Sequence, residues 1–337
     1  MTRICILISL VLIMPACNSR CVMPEAADNT LPTAPVDTSC NMAQPASAHP
    51  KAMTVQKPSK PDYFFAVAQY NTVYYGNSLE NLLKLNIESA QLDISPDGRT
   101  IAYSSYSRPG YRVIKLVDIE NQTITLLDLP PRNAYMGSWN NDGRYIAINS
   151  QSTLLSHWQP VIYDLEEGSV TDIDWLDTDN DYYNPVFSPD GKKLVFHDIC
   201  HIYICAFSDG NVTLKRVIDT EDLCFNDNAG FSDCCKFQIT NDGKYLIFTV
   251  ETDIFEEDIC PKITLCSYNV ETGFIRQVTD RNTNVNDFAI DSAGDIYYCT
   301  CNKDKQIFEG FMARIDGTGT VKSATFKEQT YAIAVAD

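Results

Sequence analysis

The chain has 337 residues, of which 45% are hydrophobic and 11% aromatic, so it can bury a sizeable core in one large domain or two ordinary ones. Its 44 acidic residues outnumber 26 basic ones, and the net charge of −18 opposes binding to nucleic acid or to anionic membrane surfaces. We interpret this charge as a solvated acidic surface and predict no nucleic-acid partner.

Residues 1–16 are typical of a signal peptide of the lipoprotein type. Arg3 supplies a positive start, and the apolar run 6–14 is too short to span a bilayer. Cys17 follows the small residue Ala16, an arrangement that resembles the bacterial lipobox, in which the cysteine is lipidated and becomes the mature N-terminus. The two residues before Ala16 depart from the commonest form of that motif, so plain secretion with cleavage nearby is the alternative. We predict an exported lipoprotein of the outer membrane that faces the periplasm or the cell surface and touches the membrane only through its lipid.

Residues 17–60 are predicted to form a disordered tether. The segment is rich in Pro, Ala, Ser, Thr and Asn and has no hydrophobic periodicity. It cannot bury enough apolar surface to offset the entropy lost on ordering. Such a tether would hold a folded head, predicted over residues 61–337, away from the membrane.

An internal repeat in the second part of the chain decides the predicted fold. Five segments share a short turn that contains a glycine, followed by an apolar strand, and the successive turn glycines are 45, 48, 52 and 51 residues apart. Four strands of five or six residues joined by short turns need about 40–50 residues. The period therefore predicts four-stranded units, which is typical of a β-propeller.

The repeated turn has a structural explanation. Asp can hydrogen-bond its own backbone, and Gly follows where the chain needs a positive φ to form the hairpin. In the fifth copy Ala293 stands where the aspartate is expected. The turn positions, which we predict to be structural, are Asp97, Gly98, Asp142, Gly143, Asp190, Gly191, Asp242, Gly243 and Gly294.

The two ends of the repeat region indicate the number of blades. Residues 62–90 read as three strands without an Asp-Gly strand before them, and 331–335 read as a lone strand after the fifth repeat. If the last strand completes the first blade, the ring closes and leaves no open edge between the first and last blades. We therefore predict an all-β propeller of six four-stranded blades, with five or seven as alternatives.

The segments Ile94-Ser-Pro-Asp-Gly98 and Phe187-Ser-Pro-Asp-Gly191 resemble the P-D-G propeller repeat of the TolB-type family. The same repeat occurs in the propellers of prolyl-oligopeptidase-like enzymes. The resemblance covers roughly residues 62–337 and implies a six-bladed scaffold of the cell envelope. TolB proteins carry an α/β domain ahead of the propeller, where this sequence has the predicted tether. The sequence contains no G-x-S-x-G motif, so the peptidase resemblance brings no nucleophile with it.

Two weak metal-site candidates stand out. His197 and His201 could lie opposite each other across a hairpin and ligate zinc, although with no third histidine nearby ordinary hairpin positions explain them better. Asp177, Asp179 and Asp181 alternate as at the start of a calcium loop, but the glycine and the glutamate that such a loop needs are missing. We predict no cofactor, with calcium as the alternative.

The chain has 13 cysteines, most of them in its C-terminal half. Because an exported protein can form disulfides, we predict a bond between Cys224 and either Cys234 or Cys235.

No convergent set of catalytic residues is evident in the sequence. We therefore predict a monomeric binding or scaffold module whose partner is an envelope or surface protein, or a glycan. The alternative is a carbohydrate-active lyase or hydrolase that uses acidic or histidine residues at the mouth of the propeller channel.

Overall fold

A computed structural model describes residues 62–336, apart from gaps at 71, 109–110, 131, 153–156, 226–228, 253–261, 282 and 303–304. The predicted signal peptide, the predicted lipidation site Cys17 and the whole of the predicted tether lie outside the described residues. In the described part of the chain, no helix is long and apolar enough to cross a membrane.

The fold is a six-bladed β-propeller, as predicted, and each blade is a four-stranded antiparallel sheet. Blade 1 contains β1 (Phe65–Gln69), β2 (Thr72–Gly76) and β3 (Leu83–Glu88). Blade 2 contains β4 (Leu92–Ile94), β5 (Thr100–Arg108), β6 (Tyr111–Asp118) and β7 (Ile124–Leu126). Blade 3 contains β8 (Arg132–Trp139), β9 (Tyr145–Ser152), β10 (Gln159–Asp164) and β11 (Ser169–Asp172).

The other three blades follow in chain order, with one 3₁₀ turn (Thr220–Leu223) between blades 4 and 5. Blade 4 contains β12 (Tyr183–Phe187), β13 (Lys193–His197), β14 (His201–Ser208) and β15 (Asn211–Asp219). Blade 5 contains β16 (Phe237–Ile239), β17 (Tyr245–Thr252), β18 (Lys262–Asn269) and β19 (Ile275–Gln277). Blade 6 contains β20 (Val285–Ile290), β21 (Asp295–Asn302), β22 (Ile307–Arg314) and β23 (Val321–Phe326). The last strand, β24 (Thr330–Val335), belongs to blade 1.

The ring is closed by the C-terminal strand, which confirms the prediction. β24 pairs with β1 in antiparallel register, with Phe65 opposite Val335, and Ala336 then donates to the carbonyl of Phe64 at 2.8 Å. This pairing explains why the N-terminal strands had no Asp-Gly strand before them, since their innermost strand comes from the other end of the chain.

The antiparallel order gives the propeller two different ends. We call the end that carries the Asp-Gly turns the turn face; the turns between the third and fourth strands of each blade lie there too. The opposite end, the connection face, carries the links between blades and the loops between second and third strands. The described chain enters at Asp62 on the turn face, where Asp62 donates its backbone N–H to the Asp97 carbonyl at 2.9 Å.

The Asp-Gly turns share one hydrogen-bond pattern. Oδ1 of the turn aspartate accepts the backbone N–H of the residue after the glycine, as in Asp97 with Arg99 at 3.1 Å. The same bond recurs in the other copies at Asp142, Asp190 and Asp242. In the fifth copy Asp291 takes this role, since its Oδ1 accepts the N–H of Asp295 at 2.9 Å. Every turn glycine has a positive φ, namely Gly98, Gly143, Gly191, Gly243 and Gly294.

The turns also bind neighbouring blades together, a role that the sequence did not indicate. Asn141 donates from Nδ2 to the Pro189 carbonyl at 2.6 Å, which links blades 3 and 4. Asn241 accepts the N–H of Asp190 at 2.7 Å, which links blades 4 and 5. The residue before the Asp-Gly pair therefore acts between blades, while the pair itself shapes the hairpin.

The hydrophobic core is divided into six clusters, one in each space between adjacent blades. Between blades 4 and 5, the rings of Phe237 and Phe248 stack with centroids 5.9 Å apart, and His197 meets Phe237 edge-on at 5.0 Å. Because the sheets pack face to face in this way, each blade is stabilised by both of its neighbours.

Candidate functional site

The central channel of the propeller is one candidate active site. It is lined by the innermost strands, and three charged side chains enter it: Asp93, Lys236 and Asp287. The Lys236 ammonium lies 3.1 Å from Asp287 Oδ1 and donates to the Phe288 carbonyl at 2.5 Å. Its donors are therefore largely used by the protein itself.

Both channel carboxylates accept backbone N–H groups from the next blade. Asp93 Oδ2 accepts from Trp139 at 2.7 Å, and Asp287 Oδ2 accepts from Ile333 at 2.9 Å. Burial raises the pKa of Asp93 to about 7, while the Trp139 bond and Lys236 act to lower it. These carboxylates therefore join inner strands across blade boundaries.

The channel cavities formed by the described residues are small. The cavities at its two ends measure about 80 and 160 Å³. Ligand pockets in proteins usually measure roughly 300–1,000 Å³, whereas one water needs only about 10–15 Å³. The alternative prediction placed acidic or histidine residues at the channel mouth; of these, the acidic residues Asp93 and Asp287 lie beside the two small cavities.

The structure does not bring the two candidate zinc histidines together. His197 lies opposite Ile202 in the β13–β14 register, so His201 points to the other face of the sheet. Asp198 sets this register, because its Oδ1 accepts the N–H groups of both Cys200 and His201. His197 is fully buried, which lowers its pKa to about 4, while His201 is 44% exposed beside Asp198. The prediction that the two imidazoles lie opposite each other across the hairpin is therefore wrong.

The three alternating aspartates do not form a common site either. Asp177 Oδ1 accepts the N–H of Asp179 at 3.0 Å within their own loop. Asp181 Oδ1 instead accepts the N–H of Trp158 at 2.6 Å. Among the residues that the structure describes, no group of three His, Cys, Asp or Glu side chains could hold a metal ion.

The predicted disulfide at Cys224 is not formed. Cys224 carries a free thiol that lies 3.5 Å from the carbonyl oxygens of both Thr220 and Ala229. Cys235 is buried, and its sulfur accepts the N–H of Ser232 at 3.4 Å. In the structure Cys224 is bonded to neither Cys234 nor Cys235.

A row of aromatic and arginine side chains on the connection face was missed by the sequence analysis. We call Tyr106, Arg112, Tyr135 and Trp158 the arginine–aromatic row. The Arg112 guanidinium lies over the rings of both Tyr106 and Tyr135, 5.5 and 5.7 Å from their centroids. Trp158 meets Tyr135 edge-on at 4.9 Å. The row crosses from blade 2 to blade 3, so only the assembled fold brings its members together.

The row has a fixed inner end and an exposed outer end. Tyr135 is buried, its hydroxyl accepts a hydrogen bond from the Asn149 amide, and burial raises its pKa. Tyr106 is 63% exposed. Within the described part of the chain, the Arg112 guanidinium forms no ion pair with a carboxylate, so its N–H groups remain available to a ligand.

Comparison with known proteins shows the fold alone. No known protein-family profile and no curated protein match the sequence. TolB from Acinetobacter baumannii has a similar structure, with a TM-score of 0.57 and 16% identity over 81% of this chain and 66% of that one. A chain of a nidogen/laminin complex gives 0.54 and 13% identity over 82% and 98%. An oligogalacturonate lyase in complex with manganese gives 0.48 and 13% identity over 75% and 70%.

Proposed function

We propose that the protein is a scaffold or binding module of the cell envelope and that it engages a protein partner through its connection face. The arginine–aromatic row is the observation that carries this proposal. Trp, Tyr and Arg are the residue types that dominate binding energy at protein interfaces. In the row they are contiguous, anchored at one end and exposed at the other.

The row suits a partner that presents an acidic side chain. A guanidinium stacked on aromatic rings keeps its edge free, and that edge matches the two oxygens of a carboxylate. Because Arg112 is already held between Tyr106 and Tyr135, binding would cost less side-chain entropy than with a mobile arginine. A carboxylate on the partner would then form the ion pair that Arg112 lacks within the described part of this chain.

The predicted lipid anchor is compatible with partner binding at the connection face. The described chain enters at Asp62 on the turn face, opposite the row. A flexible tether of the length predicted between Cys17 and residue 60 has a root-mean-square span of about 35–40 Å. Lipid at Cys17 would therefore leave the connection face free to meet a partner on the same membrane or across the periplasm.

A structure of similar fold is found in a nidogen/laminin complex, which supports protein binding as a use of this fold. The similarity to TolB supports the fold alone, and this chain spans only 66% of that protein's length. A glycan partner has less support, since the row presents rings largely edge-on or beneath Arg112 rather than as one flat stacking surface.

The enzyme alternative rests on one observation, the Asp93 carboxyl with a pKa of about 7 in the channel. A pKa near the working pH is what a general acid or base needs. Against this stands the size of the channel, and Asp93 Oδ2 is already occupied by the Trp139 N–H. We therefore favour the binding module.

Quantitative affinity capture from membranes would test the proposal. The lipidated full chain should recover one protein in stoichiometric amount, and Arg112→Ala and Tyr106→Ala should each reduce recovery at least tenfold. Tyr70→Ala is the matched control, since Tyr70 is 58% exposed and lies at a loop between second and third strands on the same face. Equal recovery by all four proteins would contradict the proposal, as would turnover of a glycan panel that Asp93→Asn abolishes.

A further inference from the structure

A cleft on the turn face, between blades 5 and 6, is far larger than the channel. Its volume is about 660 Å³, within the usual range for ligand pockets. One wall comes from the β18–β19 hairpin of blade 5 and the other from the turn after β22 in blade 6. Its aromatic and charged lining residues are Tyr245, Phe274, Arg276, Asp295, Arg314 and Asp316.

The floor of the cleft is closed by a direct link between the two blades. Ser267 Oγ donates to the Ile315 carbonyl at 3.0 Å. Gly294 leaves room there, because a Cβ at this position would come within 3.2 Å of the Ile315 side chain. The cleft is therefore an open groove whose base is formed by the contact between two packed blades.

An aromatic side chain forms the apolar part of the cleft. Phe274 is 60% exposed, although a phenyl ring of this size is usually buried. The Arg276 guanidinium lies 5.8 Å from the centre of its ring. Tyr245 contributes a second ring to the same recess. A ligand with an aromatic or apolar group could cover Phe274 and bury its exposed surface.

Among the residues that the structure describes, two arginines in the cleft lack the carboxylate partner that three arginines elsewhere have. Arg276 donates one N–H to the Asp316 backbone carbonyl at 3.2 Å, and within the described residues the Arg314 guanidinium makes no hydrogen bond or ion pair. In contrast, three other arginines each lie within 2.7 Å of a carboxylate oxygen, namely Arg99, Arg132 and Arg144.

In the described part of the chain, neither aspartate of the cleft forms an ion pair with these arginines within 4 Å. Asp316 Oδ1 accepts the N–H and the hydroxyl of Thr318, at 2.9 and 2.6 Å, and these bonds lower its pKa. The positive charges of Arg276 and Arg314 also help to lower the pKa of Asp316. Asp295 lies directly opposite Arg314 in the strand register, yet the two form no ion pair within 4 Å. The cleft is neutral in total, so recognition would rest on directed guanidinium–carboxylate bonds and not on net charge.

We propose that this cleft binds a small organic ligand in which a carboxylate lies next to an aromatic or apolar group. Arg314 and Arg276 receive the carboxylate, and Phe274 and Tyr245 contact the apolar group. The site lies on the opposite end of the propeller from the arginine–aromatic row and does not depend on the function proposed there.

Three related probes test the proposal with the full-length protein by calorimetry or ligand-observed NMR. The acid 3-phenylpropionate should bind with a Kd of about 1 mM, as expected for a fragment of this size. The amide 3-phenylpropionamide, which has the same shape without the charge, should bind at least tenfold more weakly, and 2-phenylethylamine should not compete. Equal affinity for acid and amide, or no binding of the acid at 10 mM, would overturn the proposal.

Variants then locate the site. Arg314→Gln and Phe274→Ala should each weaken binding of 3-phenylpropionate about tenfold, while Arg216→Gln, on the exposed outermost strand of blade 4, should leave it unchanged. Because Arg314 and Phe274 are exposed, both variants should keep the wild-type melting temperature to within a few degrees. Unchanged binding in Arg314→Gln would show that the acid binds elsewhere and would overturn the assignment.

Discussion

The Asp93 carboxylate accepts the backbone N–H of Trp139 at 2.7 Å, across the boundary between blades 2 and 3. Asp93 belongs to the innermost strand of one blade and Trp139 to that of the next. The innermost strand of a blade has one edge with no strand beside it, so its N–H groups need other acceptors. Asp93 supplies one, at the cost of placing a carboxyl where burial raises its pKa to about 7.

Replacing Asp93 by Asn should flatten the dependence of stability on pH. The folded pKa lies above the ordinary value of 3.8, so the folded protein binds more protons than the unfolded chain between about pH 4 and 7. The contribution of Asp93 to stability is therefore full below pH 4 and is lost as the pH rises through 7. Asn keeps an oxygen for the Trp139 N–H but cannot ionise.

We expect Asp93→Asn to be more stable than wild type at pH 8 by about 1–3 kcal/mol, with the difference shrinking or reversing at pH 5. Asp93 is only partly buried, so the effect should stay below the limit set by the full pKa shift. Urea unfolding of both proteins at pH 5, 6, 7 and 8 measures this difference in unfolding free energy. Parallel pH profiles for the two proteins would show that Asp93 ionises as freely in the folded state as in the unfolded one.

Asp287 makes a second link of this kind, at the point where the ring closes. Its Oδ2 accepts the Ile333 N–H and its Oδ1 lies 3.1 Å from Lys236. Asp287→Ala leaves the buried Ile333 N–H without its acceptor and removes the carboxylate beside Lys236, whose remaining acceptor is the Phe288 carbonyl. We expect a loss of about 2–4 kcal/mol in unfolding free energy. Adding Lys236→Met should recover about 1–2 kcal/mol of that loss, because the unpaired charge is then gone.

The control for Asp287 is Glu309→Ala. Glu309 pairs with Lys322 at 2.6 Å, but the lysine side chain is 49% exposed, so the variant should lose less than about 1 kcal/mol. If the two alanine variants are equally stable, the channel contact contributes no more than a surface ion pair does.

The repeat was enough to predict most of the fold from the sequence. The spacing of the turn glycines fixed the four-stranded unit, and the unmatched strands at both ends indicated a ring closed by 331–335. The reason is local: an Asp-Gly turn marks a hairpin wherever it occurs, and its recurrence counts the blades.

The candidate sites were not predictable, because they depend on register and on contacts between blades. His197 and His201 looked opposed, but the Asp198 turn shifts the hairpin so that Ile202 faces His197. Arg112 meets Tyr135 only once blades 2 and 3 are packed together. No periodic signal in the sequence marks such pairs.

Gly98 should be the least replaceable of the glycines that need a positive φ. Its φ is +70°, and an added Cβ would lie 2.2 Å from the Tyr63 carbonyl oxygen, where blade 2 meets the start of the described chain. Gly168 also has a positive φ, +61°, but an added Cβ there would meet nothing within 4 Å. We expect Gly168→Ala to cost about 1 kcal/mol, the backbone penalty alone.

Gly98→Ala should cost at least about 3 kcal/mol, because the backbone must move as well as adopt a strained conformation. Urea unfolding of the two variants side by side separates the penalty for φ from the penalty for the contact. Equal losses would mean that the chain around Tyr63 moves aside freely, and the packing of the entry segment on the Gly98 turn would then contribute little.

The lipid anchor is tested by replacing Cys17 with Ser. Wild-type protein should incorporate an alkyne-labelled fatty acid in cells and fractionate with membranes, whereas Cys17→Ser should incorporate none. A net charge of −18 gives the chain no electrostatic affinity for anionic membranes, so the unlabelled protein should leave the membrane fraction once its signal peptide is removed. Cys21→Ser is the matched control, since Cys21 follows Arg20 and not a small residue, and it should be labelled as wild type is. Labelling of Cys17→Ser would mean that another residue carries the lipid, and the predicted start of the mature chain would then be wrong.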